Sequence, residues 1–248
     1  MGHIFSIIGP GAMGSAVARR IRERGATVRA SLEGRSAASF RRAAEAGMIA
    51  VASDRDLVEG VDMVLSIVPP GEAVGLAERL VPLLAATSRK PLVIDCNAIN
   101  PTTAARIATI LAPGGAAFVD GGIIGGPPKL DGPGPRFYLS GPAAGDAAML
   151  RDYGVDIRLL DGAIGAASAL KMSYAGITKG TTAIASAMLL GAARFGCARI
   201  RKSWFRVSIS SPLVRRIGGA RFLPSSETET GRRSADAVHD DRQSQQRQ

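Results

Sequence analysis

Gly9, Gly11 and Gly14 stand in the stretch Ile7-Ile8-Gly9-Pro10-Gly11-Ala12-Met13-Gly14 at the spacing with which a backbone grips a pyrophosphate. Gly9 permits a tight turn, Gly11 lets the backbone approach the anion, and Gly14 lets a helix pack close on the preceding strand. The helix opening at Ala12 and Met13 offers unpaired N–H groups to negative charge. Glycine loops also serve as ordinary turns, so the flanks decide. Ile4 to Ile8 is an apolar run suited to a buried parallel strand, and Ala12 to Arg24 places Met13, Ala16, Val17 and Ile21 at helical spacing. Strand, glycine loop and helix together predict a dinucleotide clamp.

The choice of dinucleotide falls at the end of the second strand, Thr27 to Ser31, where an acidic side chain would hold the ribose hydroxyls of NAD. The strand ends in Ser31, with Glu33 close by. Arg35-Ser36 follows, and a guanidinium with a hydroxyl suits a 2′-phosphate, which favours NADP over NAD. The same two residues also read as a solvated loop charge and as the N-cap of a helix over Ala37 to Ala46.

These groups need a sheet to hold them. The apolar content of 46% is ample for a core, and the 4% aromatic content suits helices on a sheet better than a β-sandwich. Strands at Met48 to Val51, Met63 to Val68, Leu92 to Asp95, Ala117 to Val119, Arg136 to Leu139 and Asp156 to Leu160 are predicted. They alternate with helices starting at Asp54, over Glu72 to Leu84, after Pro101 and over Ala143 to Leu150. Such alternation specifies an α/β fold, a Rossmann-type doubly wound and mostly parallel sheet with its ligands at the strands' carboxyl ends. Gly125 to Pro135 reads as a Gly- and Pro-rich loop beside the site. No apolar window is long enough for a membrane span. His3 and His239 are isolated, so no metal site is expected. Two cysteines, Cys96 and Cys197, form no disulfide framework and point to a reducing cytoplasm.

From Ile164 to Phe195 the pattern becomes one long helix. Leu170, Tyr174, Ile177, Thr181, Ile184 and Met188 form a stripe that needs a partner surface, and Gly176 and Gly180 would let a second helix come close. Lys171, Ala175 and Thr178 flank the stripe. On spacing alone Lys171 reads either as a snorkelling surface lysine or as a carrier of protons.

With the glycine loop, Asp120 and Lys171 in this order, residues 3–197 resemble the β-hydroxyacid dehydrogenases, the superfamily of 3-hydroxyisobutyrate and 6-phosphogluconate dehydrogenases. The family loop G-x-G-x-M-G is matched by Gly9, Gly11, Met13 and Gly14. Its substrate loop D-x-P-V-S-G-G is matched by Asp120, Gly125 and Gly126, with Gly122 and Ile124 in place of the proline and serine. Its segment G-x-x-G-x-G-x-x-x-K-x-x-x-N is matched by Gly162, Gly165 and Lys171, with Ala175 where the asparagine would be. The strings Leu32-Glu33-Gly34-Arg35-Ser36, Ser66-Ile67-Val68-Pro69-Pro70, Asp95-Cys96-Asn97-Ala98 and Ala169-Leu170-Lys171-Met172 resemble a branch of NAD(P)-dependent oxidoreductases with a 6-phosphogluconate dehydrogenase-like C-terminal domain.

The resemblance implies hydride transfer between a nicotinamide and a small hydroxyacid-like or carbonyl substrate. Lys171 would be the general acid/base, Val68, Pro69 and Asn97 would line the cofactor, and Gly125-Gly126 would meet a substrate carboxylate with backbone N–H groups. Asn97 also reads as a loop-capping residue. The missing asparagine at Ala175 argues against ordinary 3-hydroxycarboxylates. Relatives of this kind dimerise through their helical domain, so a homodimer is expected. The domains expected are a dinucleotide-binding domain over 1–161, the start of a helical substrate and dimerisation domain over 162–197, and a tail over 198–248.

That tail does not match. Residues 198–248 carry 11 Lys/Arg against 5 Asp/Glu, so most of the chain's +10 charge sits there, in polar text without a sustained period. It reads as a basic, largely disordered segment, of the kind a frameshift or degenerate 3′ end would leave, truncating the helical domain. A basic tail gripping nucleic-acid phosphates is the alternative reading. With no recognisable motif and few aromatics, nucleic-acid binding is not expected.

Overall fold

A computed structural model describes residues 2–129 and 132–195. The expectations for Cys197 and the tail lie outside the described residues. The chain opens with β1 (Ile4–Ile8), α1 (Ala12–Arg22), β2 (Thr27–Ser31), α2 (Ala37–Glu45) and β3 (Ile49–Val51). Then follow β4 (Met63–Ser66), α3 (Ala73–Ala86), β5 (Leu92–Asp95), α4 (Pro101–Leu111) and β6 (Phe118–Ile124). The last elements are β7 (Arg136–Ser140), β8 (Asp156–Leu159) and the 29-residue helix α5 (Ala166–Arg194).

The eight strands form one sheet in the order β3-β2-β1-β4-β5-β6-β7-β8. All neighbours are parallel except β6 and β7. The first six strands have the doubly wound Rossmann order, whose strand order reverses between β1 and β4 and opens a crevice there. Because helices cover both faces, the central strands are apolar on both sides. Phe5, Ile7, Val28, Ile94 and Val119 face α1 with its Val17, Ala18 and Ile21. Ile8, Val64, Val93 and Phe118 face Leu76, Leu80 and Leu84 of α3 and Ile107 and Leu111 of α4. Each such side chain, fully buried, contributes roughly 1.5–3 kcal/mol.

Three elements differ from expectation. The helix expected from Asp54 is a single 3-10 turn, Arg55–Leu57, because Asp56 turns back to accept from the Ser53 N–H and hydroxyl and Gly60 follows in the left-handed region. The helix expected over Ala143 to Leu150 is a 3-10 helix, Ala144–Arg151, with the weak helix former Gly145 in its first turn. The residues around Asp120, expected as a loop, lie within β6. Gly121 and Gly122 continue that strand by pairing with Leu139 and Tyr138 of β7.

That longer β6 is what seats α5. The Asp120 side chain, fully buried, accepts from Gly165 N (2.9 Å), Ser168 N (3.0 Å), the Ser168 hydroxyl (2.6 Å) and the Ser140 hydroxyl (3.1 Å). A strand carboxylate thus satisfies the unpaired N–H groups that open α5. Ser140 Oγ in turn accepts from Ala167 N. The helix lies so close that a Cβ on Gly122 would come within 2.8 Å of the Ala167 carbonyl oxygen. The chain divides into two compact units, Met1–Ala183 and Ile184–Gln248.

Removing the Asp120 carboxylate orphans four buried donors. Asp120→Ala should cost roughly 3 kcal/mol or more of unfolding free energy, checked by urea denaturation followed by circular dichroism.

Candidate dinucleotide and proton-transfer site

At the β1 end of the crevice the glycine loop is built by close approach. Gly9 has φ +101°, and a Cβ there would fall 2.3 Å from the Ile67 carbonyl oxygen, so the turn sits directly on the end of β4. A Cβ on Gly14 would fall 2.2 Å from the Gly9 carbonyl oxygen. Gly11 is different: nothing lies within 4 Å of its would-be Cβ, and its φ of −74° suits any residue. Gly11 N donates to Gly9 O at 2.8 Å, and Ser15 N to Gly11 O at 3.0 Å, which starts α1. The first turn of α1 holds no acid, so nothing competes with an anion at the Ala12 and Met13 end. Arg42 of α2 donates to the Pro10 carbonyl at 3.2 Å and steadies the loop, a contact across 32 residues that no motif announced.

Beyond β2, Arg35 is partly exposed and pairs at 3.6 Å with Glu72, in the 3-10 turn before α3. Ser36 is exposed and caps α2 by accepting from Ser39 N at 3.3 Å, so its capping role is real and its hydroxyl still reaches solvent. Across the crevice, Val68 is buried and Pro69 exposed in the loop after β4. Asn97 is 2% exposed. Its Oδ1 accepts from Val68 N (2.7 Å) and its Nδ2 donates to Ser66 Oγ (2.8 Å) and Asp95 Oδ2 (2.8 Å). All its amide groups are engaged inside the protein, where they hold the loop after β4.

One row of side chains links these parts. Ser66 of β4, Asp95 of β5, Asp120 of β6 and Ser140 of β7 are register partners in turn, and all four are buried. Burial raises the Asp95 carboxyl from 3.8 to about 6, with Asp120 adding to the rise. The Asn97 donors and Lys171 oppose it. Burial also pushes up the Cys96 thiol, with Asp95 adding to it, which keeps this free cysteine protonated and inert.

Lys171 lies one turn into α5, half-buried, and its Nζ donates to the Ile123 carbonyl at 2.9 Å. Burial lowers its pKa from the ordinary lysine value, Lys179 pushes the same way, and the Asp95 carboxylate opposes. Two residues beyond Ile123 begin Gly125, with φ +125°, and the exposed Gly126. The fold therefore brings Lys171 to the root of the Gly125-Gly126 turn. Arg20 of α1 donates to the carbonyls of Lys129 (2.9 Å) and Gly132 (2.6 Å) and ties the rest of that loop to the glycine-loop helix. A cavity of about 540 Å³ lies elsewhere, along β8 beside Arg151 and Arg158, five strands from β1. Among the described residues no group of His, Cys, Asp and Glu is arranged for a metal, and no helix is long and apolar enough to cross a membrane.

A glycine loop at the strand-order reversal of a doubly wound sheet is the architecture of a dinucleotide-binding domain. Residues 4–144 match the NAD binding domain of 6-phosphogluconate dehydrogenase, and the chain belongs to that family. The chain is similar to 3-hydroxyisobutyrate dehydrogenase of Pseudomonas aeruginosa, with 36% identity over 92 residues covering 36% of this chain and 30% of that enzyme. The matched stretch is thus under a third of the curated enzyme. Among solved structures, a conserved protein of unknown function, described as similar to 3-hydroxyacid dehydrogenases, is 32% identical with a TM-score of 0.65, over 78% of this chain and 71% of that one. The 3-hydroxyisobutyrate dehydrogenase of Mycobacterium tuberculosis, solved with L-serine, shares the fold at 24% identity and a TM-score of 0.68, over 86% and 72%.

The two inner glycines make opposite predictions. Gly14→Ala should destabilise the fold by roughly 1–3 kcal/mol through overpacking. Gly11→Ala should leave the melting temperature unchanged while weakening dinucleotide affinity roughly tenfold or more, since only a bound pyrophosphate meets its methyl group. Thermal denaturation with calorimetric titration of NADP⁺ checks both.

Proposed function

We propose that this chain binds NADP(H) and transfers hydride between the nicotinamide and a small hydroxyacid-like or carbonyl substrate, with Lys171 as general acid/base. The carrying observation is Lys171 itself, half-buried, with a lowered pKa, and held by the Ile123 carbonyl at the root of the Gly125-Gly126 turn. The residues present fit the cofactor. Gly11 leaves an open face, Ala12 and Met13 open a helix free of acids, and Val68 and Pro69 stand across the crevice.

Bound nicotinamide supplies the hydride chemistry; the protein supplies position and proton. In the oxidative direction the neutral Lys171 amine takes the substrate hydroxyl proton, and in the reductive direction the ammonium returns it. Gly125 and Gly126 present backbone N–H groups to a substrate carboxylate, while Ala175, one turn beyond Lys171, leaves apolar surface where relatives carry an amide. Arg35 and Ser36 receive the 2′-phosphate. This requires Arg35 to leave Glu72 in part, which a charge-assisted bond to phosphate favours. The exposed apolar face of α5, with Leu170, Ile177, Ile184 and Met188, pairs with a second copy across Gly176 and Gly180. A buried free Cys96 suits the reducing cytoplasm. The second reading, a dinucleotide-binding protein without turnover, is favoured by the alanine at position 175. A panel of hydroxyacids and ketoacids with NADP⁺ or NADPH separates the two.

Lys171→Ala should lower turnover roughly a hundredfold or more with NADP⁺ affinity unchanged, and Lys171→Arg should not restore it, because a guanidinium keeps its proton. Oxidation should rise with pH through an inflection below the ordinary lysine value, the direction expected when the amine must be neutral. A flat profile would assign the proton to another group.

NADP⁺ should bind more tightly than NAD⁺. Arg35→Ala should remove that difference, a loss of roughly 1.5–3 kcal/mol, and Glu72→Gln should enlarge it by freeing the guanidinium. Equal affinity for both cofactors in the unmodified chain would refute the assignment.

A further inference from the structure

Asp95 is a buried acid that proton transfer at Lys171 does not itself employ. It ends β5, 3% exposed, and its carboxylate receives two bonds from one residue: Asn97 N to Oδ1 at 2.9 Å and Asn97 Nδ2 to Oδ2 at 2.8 Å. The Asn97 amide has two N–H donors and one carbonyl oxygen. Both donors are used, on Asp95 and on Ser66 Oγ, and the oxygen accepts from the Val68 N–H at 2.7 Å. Turned over, the amide would point its oxygen at the Asp95 carboxylate and its hydrogens at the Val68 N–H, leaving repulsion at both ends. The carboxylate therefore selects the amide orientation, and the orientation decides whether Val68 has an acceptor.

We propose that Asp95 is a positioning residue of the dinucleotide crevice: by fixing the Asn97 amide it holds the Val68 backbone N–H, and with it the loop between β4 and α3. The link to cofactor binding rests on the proposed function, in which that loop faces the dinucleotide; the hold on Val68 does not.

The clamp depends on charge. A carboxylate accepts at both oxygens, whereas a protonated carboxyl turns an O–H toward one of the two Asn97 donors and loses that bond. The titratable groups facing Asp95 are Asp120 from β6, which raises it, Lys171 from α5, which lowers it, and its chain neighbour Cys96, itself kept protonated. Ser66, its partner on β4, does not titrate. With burial dominant the carboxyl is lifted to about 6, so the clamp is engaged at neutral pH and releases as pH falls through that value. Because the folded-state value lies above the ordinary carboxyl value, the folded protein binds this proton more tightly than the unfolded chain. Protonation in mild acid therefore loosens the loop without unfolding the sheet.

The test is the backbone amide resonance of Val68 in the full chain, followed by NMR from about pH 7.5 to about pH 5 without cofactor. It should titrate with the Asp95 carboxyl, with a midpoint near the value of about 6. Over the same range NADP⁺ affinity should fall roughly tenfold, the loss of one hydrogen bond. In the Asp95→Asn variant the amide should be flat and the pH-dependent part of the affinity absent. Asp95→Asn and Asn97→Ala should each weaken NADP⁺ binding, and the double variant should be no worse than the worse single one, as two links of one chain require. A Val68 amide that does not move in the unmodified protein overturns the proposal even if the variants fail to fold, and additive losses in the double variant overturn it too. A chain that binds no dinucleotide at all would refute the functional reading, and the amide titration would still decide the role of Asp95.

Discussion

The seating of α5 on the Asp120 carboxylate is the interaction on which the rest of the site depends. A helix start leaves N–H groups without partners, and burying them beside a sheet is costly unless an acceptor is supplied. Asp120 supplies it from the middle of β6, and its other bonds tie in Ser168 and Ser140. Gly122, one strand position past its neighbour, removes the side chain that would have kept the helix away. Lys171 follows one turn along the helix from this anchor, so its ammonium meets the Ile123 carbonyl at a place set by strand geometry rather than by a loop. A half-buried lysine with no such anchor would swing toward water and recover its ordinary basicity.

The glycine loop uses the reverse device. At β6 a charge draws a helix in; at β1 the absence of side chains lets main chain stand on main chain. Gly9 lies on Ile67 and Gly14 on Gly9, and both contacts are internal to the protein. Gly11 alone is spare in that sense, and its freedom is directed outward. Arg42 and Arg20 then brace the assembly from outside, one on Pro10 and one on the loop after β6.

Much of this was legible in the chain. The bounds of β5 could be read from an apolar run ending at a polar residue, and the glycine loop from its spacing together with the strand and helix that flank it. What could not be read was the business of residues far apart. Gly121 and Gly122 look like a turn, yet they are a strand thinned so that a helix can approach. Asp120 receives bonds from residues 20 and 48 positions later, and no local pattern carries that information. Asn97 could be read as a polar group near a cofactor or as a cap, and its bonds to Val68, Ser66 and Asp95, drawn from two strands, could not be read from local spacing. The two expected helices that became 3-10 turns failed for local reasons, Asp56 accepting from Ser53 in one and the weak helix former Gly145 in the first turn of the other.

The row Ser66, Asp95, Asp120 and Ser140 has a consequence for how the sheet assembles. Strand pairing can slip, and a slip of one residue turns every side chain to the opposite face. For β5 or β6 such a slip would push a carboxylate into the layer holding Phe137 and Leu139, away from the Asn97 amide and the start of α5. An ionised group stranded among those side chains is far costlier than a misplaced methyl. The polar row is therefore a lock on register through four adjacent strands, and the acids beneath Lys171 also make the misaligned sheet the one the chain avoids.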